Sequence, residues 1–70
     1  MQYLVVIERG ASSDGAYVPD LPGCAAVGES AAEVEALIRE ASEIHVDGLR
    51  EHGESIPEPA STSQLVTIDA

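Results

Sequence analysis

The chain has no phenylalanine, no tryptophan and no lysine, and only one cysteine among its 70 residues. Each absence removes a class of function. Tyr3 and Tyr17 are its only aromatics, so no platform exists on which single-stranded bases could stack in succession. The three cationic residues, Arg9, Arg39 and Arg50, stand against thirteen acids, for a net charge of −10. Such a chain repels phosphate backbones and offers no basic tract to an anionic surface. Neither direct nucleic-acid binding nor membrane attachment is expected. A phosphate-cradling loop is excluded too, because the glycines are scattered and no lysine follows them. With Cys24 alone, no disulfide forms within the monomer, and a start at Met1-Gln2-Tyr3 without a basic leader predicts a reducing, cytoplasmic location.

Seventy residues predict a single domain over 1–70. A chain this short buries only about 60% of the surface its unfolded form exposes, and self-association is a common remedy. The acidic excess has two readings. It suits a basic protein partner through complementary potential, or it keeps a small domain soluble.

Residues 3–8 are β-branched and apolar at consecutive positions, which predicts a first strand. Turn residues fill 9–14, and a short second strand is expected at 16–18. The run Pro19-Asp20-Leu21-Pro22-Gly23 follows, with prolines that fix φ and a glycine open to unusual φ, giving a stiff crossing. A third strand is expected at 24–27. Ser30 and Glu33 read as a capping box and Gly53 as a C-terminal stop, so a helix is expected over 31–52. Its apolar stripe is Val34, Leu37, Ile38, Ala41, Ile44 and Leu49. Glu35 and Arg39 are spaced for an exposed i,i+4 ion pair. After a proline-bearing connection, 64–69 predicts a last strand, parallel to the first and beside it. The expected fold is α+β, in the order β-β-β-α-β, with one small mixed sheet and one helix on a face.

In that arrangement Leu4, Val5, Val6 and Ile7 place apolar side chains on both faces of the first strand. One helix covers one face. The other calls for a second copy or a different protein, so a homo-oligomer, dimer or tetramer, is expected.

No residue pattern demands catalysis, a metal or a cofactor. Cys24 lacks a neighbouring base or cation and reads as a small buried side chain. His45 and His52 lie two helical turns apart, about 10 Å, too far to share one metal. The acids fall mostly on the polar helix face, and Glu8 alone stands at the end of the first strand. That is not the converging set a two-metal nuclease requires.

Several separated segments resemble the HicB family, the antitoxin half of bacterial HicA–HicB toxin–antitoxin pairs. They are Tyr3 to Glu8, the Asp14-Gly15 turn, Tyr17-Val18-Pro19-Asp20-Leu21-Pro22-Gly23-Cys24, Gly28-Glu29-Ser30 with its acidic helix, and Ile56-Pro57-Glu58-Pro59. The resemblance covers most of the chain. It implies a partial ribonuclease H-like fold without the nuclease acids and a non-enzymatic antitoxin. Its implied partner is a small basic HicA toxin that cleaves mRNA, neutralised by occlusion. Contact residues are expected in the crossing (Asp20, Leu21, Pro22, Gly23 and Cys24) and on the helix (Glu40, Glu43 and Asp47). Many HicB proteins carry a further C-terminal DNA-binding domain, and none is expected here. The alternative is an orphan HicB-like homo-oligomer with an unknown partner.

Overall fold

The computed structural model describes residues 1–69. It forms strands β1 (Val6–Arg9), β2 (Asp14–Tyr17) and β3 (Ala25–Gly28), then helix α1 (Ala31–Glu51). This is an α+β fold whose β-β-β-α order matches the expectation. The sheet runs β1-β2-β3, with both pairs antiparallel. Val6 pairs with Tyr17, and Tyr17 with Ala25. Residues 3–5, expected within the first strand, run past the end of β2 and have no ladder partner. Pairing of β2 with β1 ends after Tyr17 because the next residue whose main chain would face β1 is Pro19, which has no N–H. Val18 N–H faces the other way and donates to the carbonyl of its β3-side partner Cys24 at 3.1 Å.

The crossing from β2 to β3 is two consecutive tight turns. Leu21 N–H donates to the Val18 carbonyl at 3.0 Å, and Cys24 N–H to the Leu21 carbonyl at 3.0 Å. Pro19 and Pro22 each occupy the second turn position, where a fixed φ costs nothing. Gly23 sits third in the second turn with φ +85°, the signature of a type II turn. The double turn drives Leu21 inward to complete burial.

Helix α1 begins where the sequence marks it. Ser30 is extended at φ −146°, and its hydroxyl accepts from Glu33 N–H at 3.1 Å. At the other end Gly53 adopts φ +67°. Its amide donates to the Arg50 carbonyl at 3.1 Å, and that of Glu54 to Leu49 at 2.9 Å, a Schellman stop.

The core comprises Ala16, Val18, Leu21, Cys24, Val34 and Ile38, with Tyr3, Val5, Ala26, Ala41 and Val46 packed around it. Burying each large side chain here contributes about 1.5–3 kcal/mol. The expected helical stripe is only partly engaged, because Ile44 is 71% exposed and Leu37 lies at the margin. The cause is angular. Val34, Ile38, Ala41 and Val46 share one face of α1 and pack into the core, whereas Leu37 and Ile44 lie about 100° round the helix from that face. Val46 lies farther along the helix than Ile44 and is still packed. The contacts of α1 concentrate on β3 and β2 and thin out over β1.

Two further expectations are corrected. Residues 64–69 form no strand, so the sheet is antiparallel and three-stranded instead of mixed and four-stranded. A β-prone segment becomes a strand only when an edge takes up its amides and carbonyls. Here no edge does so, and residues 64–69 stay exposed. The Glu35–Arg39 pair is also not formed; the salt bridge among the described residues is Arg50 to Asp47 at 3.5 Å. Exposed pairs gain too little to fix two long side chains.

Candidate partner-binding surfaces

The crossing divides sharply into core and rim. Leu21 and Cys24 are buried core side chains, while Pro22 and Gly23 stand exposed at the outer bend. Cys24 Sγ lies 3.6 Å from Ser42 Oγ, whose hydroxyl donates to the Ile38 carbonyl at 2.7 Å. The serine hydrogen is thereby used, which leaves the thiol as donor. Cys24 ties the crossing to the middle of α1.

Asp20 is engaged inside the chain. Oδ2 accepts from Ala60 N–H at 2.9 Å and Ser61 N–H at 2.8 Å, and Oδ1 from the Ser61 hydroxyl at 2.8 Å. The Ser61 amide first, then the Ala60 amide and the Ser61 hydroxyl, hold its carboxyl below the usual aspartate value. Upstream of this latch, the Tyr3 hydroxyl donates to the Pro57 carbonyl. The connection after α1 is therefore fastened twice, at Tyr3 and at Asp20. Sequence reasoning marked Asp20 as a candidate but had no signal for its partners.

Glu40, Glu43 and Asp47 recur at i, i+3 and i+7 and are all exposed on the solvent face of α1. Asp47 alone is paired, with Arg50. Glu43 and Asp47 also wall a groove of about 910 Å³ between α1 and the N-terminal part of the sheet, floored by Tyr3, Val5, Ile7 and Ile38. No crossing residue lines that groove. The candidate residues thus fall on two surfaces, a polar helix face and a stiff proline–glycine rim.

The remaining surface carries apolar side chains. On the sheet face away from α1, cross-strand partners Val6, Tyr17 and Ala25 form a row, flanked by Val27, which is 69% exposed. The expectation that the first strand is apolar on both faces describes this surface.

Among the described residues, no group of three or more His, Cys, Asp or Glu converges as metal ligands would. His52 Nδ1 lies 2.7 Å from the Gly48 carbonyl at the helix end, and so serves the cap. Among the described residues, no helix is long and apolar enough to cross a membrane.

Comparison with known proteins places this architecture. The model of a family described as the HicB-like antitoxin of bacterial toxin–antitoxin systems matches residues 3–69. The chain is similar to "UPF0150 protein Ta0767" of Thermoplasma acidophilum, at 34% identity over 73 aligned positions that cover both chains completely. It is also similar to an uncharacterized 14.9 kDa protein of Haemophilus phage HP1, at 30% identity over 66 positions. That match takes in 94% of the chain but 50% of the phage protein. No solved structure matches significantly. With a family match that takes in the sheet, the crossing, the helix and the latched connection, the chain belongs to the HicB-like antitoxin family.

Proposed function

We propose that the chain neutralises a small, basic, HicA-type mRNA-cleaving toxin by covering its RNA-binding surface, acting in the cytoplasm and without catalysis of its own. The observation that carries this reading is the uncompensated acidic face of α1. Glu40 and Glu43 project into solvent without an ion pair, in a chain of net charge −10. A toxin that grips RNA presents cations spaced for phosphates, and a row of carboxylates on a rigid helix competes for them. Complementary potentials also accelerate encounter, which suits an inhibitor that must reach its target before the target reaches RNA. The Pro22–Gly23 rim supplies a second, uncharged contact.

A second reading is favoured by the uncovered apolar row on the sheet and by the unpaired C-terminal segment. In it the chain self-associates as a dimer or tetramer, with or without a toxin.

The test is titration calorimetry with the product of the adjacent gene, together with relief of that product's growth arrest on co-expression. A tight complex that weakens as salt rises is expected. Replacing Glu40, Glu43 and Asp47 together by Gln, Gln and Asn is expected to lower affinity at least about tenfold while leaving the melting temperature nearly unchanged. Absence of both binding and rescue would remove the antitoxin reading for that pair.

A further inference from the structure

From the structure we infer that residues 64–69 form the missing fourth strand in trans, adding to the β1 edge of a second copy while that copy's segment returns the exchange. This rests on the self-association reading and names its mechanism. Four observations meet here.

The outer edge of β1 is open, because β1 ends the sheet and no strand pairs with its far side. Beside that edge lies the groove under α1, where Tyr3, Val5 and Ile7 line the floor and Ile7 remains 38% exposed. A strand added at β1 would fill this space.

The same chain carries a segment suited to it. Leu65, Val66 and Ile68 are 101%, 70% and 74% exposed, and no strand among the described residues pairs with them. Alternation puts Val66 and Ile68 on one side and Leu65 on the other. Added to β1, the first pair faces the groove while Leu65 extends the apolar row begun by Val6 and Tyr17.

The latch explains why the segment does not close its own sheet. Ala60 and Ser61 are held on Asp20, in the crossing between β2 and β3. That holds the root of the segment at the β2–β3 crossing and not alongside the open β1 edge. The segment leaves the molecule and does not double back along β1.

Charge selects the segment as the contact between two copies. Each copy carries −10, so most faces repel, whereas 60–68 contains no charged residue. The groove wall mixes Arg39 and Arg50 with Glu35, Glu43 and Asp47, so a neutral strand meets little opposition there. Edge and segment belong to one chain, so a two-fold pair satisfies both at once and closes. A domain of this size gains the strand and core it lacks alone.

The test is light scattering of the full chain combined with isotope-filtered NOEs in an equal mixture of labelled and unlabelled copies. A dimer is expected, with intermolecular NOEs from Val66 and Ile68 to Val5 and Ile7. Val66→Pro removes a ladder donor and is expected to raise the dimer dissociation constant by about 10- to 100-fold with the circular dichroism of α1 retained. Should that variant fail to fold, the NOE pattern of the unaltered protein decides. A dimer lacking those NOEs, or one unaffected by a folded Val66→Pro, would overturn the exchange and leave self-association standing. A monomer, with the segment paired within its own chain or free, would overturn both.

Discussion

Ser61 gives both its amide and its hydroxyl to the Asp20 carboxylate, 41 positions earlier in the chain. With the Ala60 amide added, three donors converge on one side chain and fix where the connection after α1 crosses the sheet end. The first two predictions concern this latch.

Asp20→Asn keeps the shape but loses the charge and one acceptor oxygen. Charge-assisted bonds to backbone amides exceed neutral ones in strength. Amide exchange at Ala60 and Ser61 is expected to accelerate by roughly tenfold or more, while exchange within α1 stays unchanged. Unaltered protection at Ala60 and Ser61 would show that the connection is held elsewhere.

The same latch responds to acid. The Asp20 carboxyl is held below its ordinary value by the folded state. Its contribution is therefore complete above the unfolded value of about 3.9 and fades as pH falls through the lower folded value. The latch is complete at neutral pH and weakens as the pH falls below the ordinary aspartate range. An NMR titration of the Ala60 and Ser61 amide shifts is expected to show a midpoint below about 3.9 that vanishes in Asp20→Asn; a midpoint at or above it contradicts the geometry.

Two glycines make opposite predictions under the same substitution. Gly23 has open space around an added Cβ but stands at φ +85°, so Gly23→Ala is expected to destabilise by about 1 kcal/mol through the backbone alone. Gly48 lies within α1, also with open space, and Gly48→Ala is expected to stabilise by about 0.5–1 kcal/mol. Shifts in melting temperature of about 4–8 °C per kcal/mol, in opposite directions, would be read by thermal denaturation.

Leu21 is 0% exposed at the heart of the crossing. Leu21→Ala is expected to cost about 2–5 kcal/mol, comparable with the whole stability of a domain this small, on the order of 5 kcal/mol. Urea denaturation would detect it. A loss under 1 kcal/mol would mean that the crossing collapses onto the cavity.

Where local chemistry determines structure, the sequence was legible. Ser30, Glu33 and Gly53 mark the helix ends, and Pro-x-x-Pro-Gly spells out consecutive turns. The strand boundaries shifted by one to three residues, because pairing depends on which partner main chain lies opposite and not on propensity; opposite residues 3–5 the β2 chain has already reached Pro19. Ile44 looked like core because the stripe drawn through Leu37 and Ile44 is wider than the face that one small sheet covers; Val34, Ile38, Ala41 and Val46 take that face. The Asp20–Ser61 latch was illegible, since two polar side chains 41 positions apart leave no periodic trace. Residues 64–69 have strand chemistry without a strand, because an edge is supplied by topology. Among the candidate site residues, the helix acids were placed correctly on the solvent face. Cys24 was read as a small buried side chain and is one, whereas the burial of Leu21 was concealed by the motif's compactness.

The double turn has a consequence for recognition. Its two prolines have no N–H, so the exposed bend offers four carbonyls, from Pro19, Asp20, Pro22 and Gly23, against two amide hydrogens. Anything that reads this corner meets a rigid, acceptor-rich knuckle of main chain whose side chains supply little identity. A surface docking on this corner would be selected by where its donors stand, to within an ångström, more than by its charge.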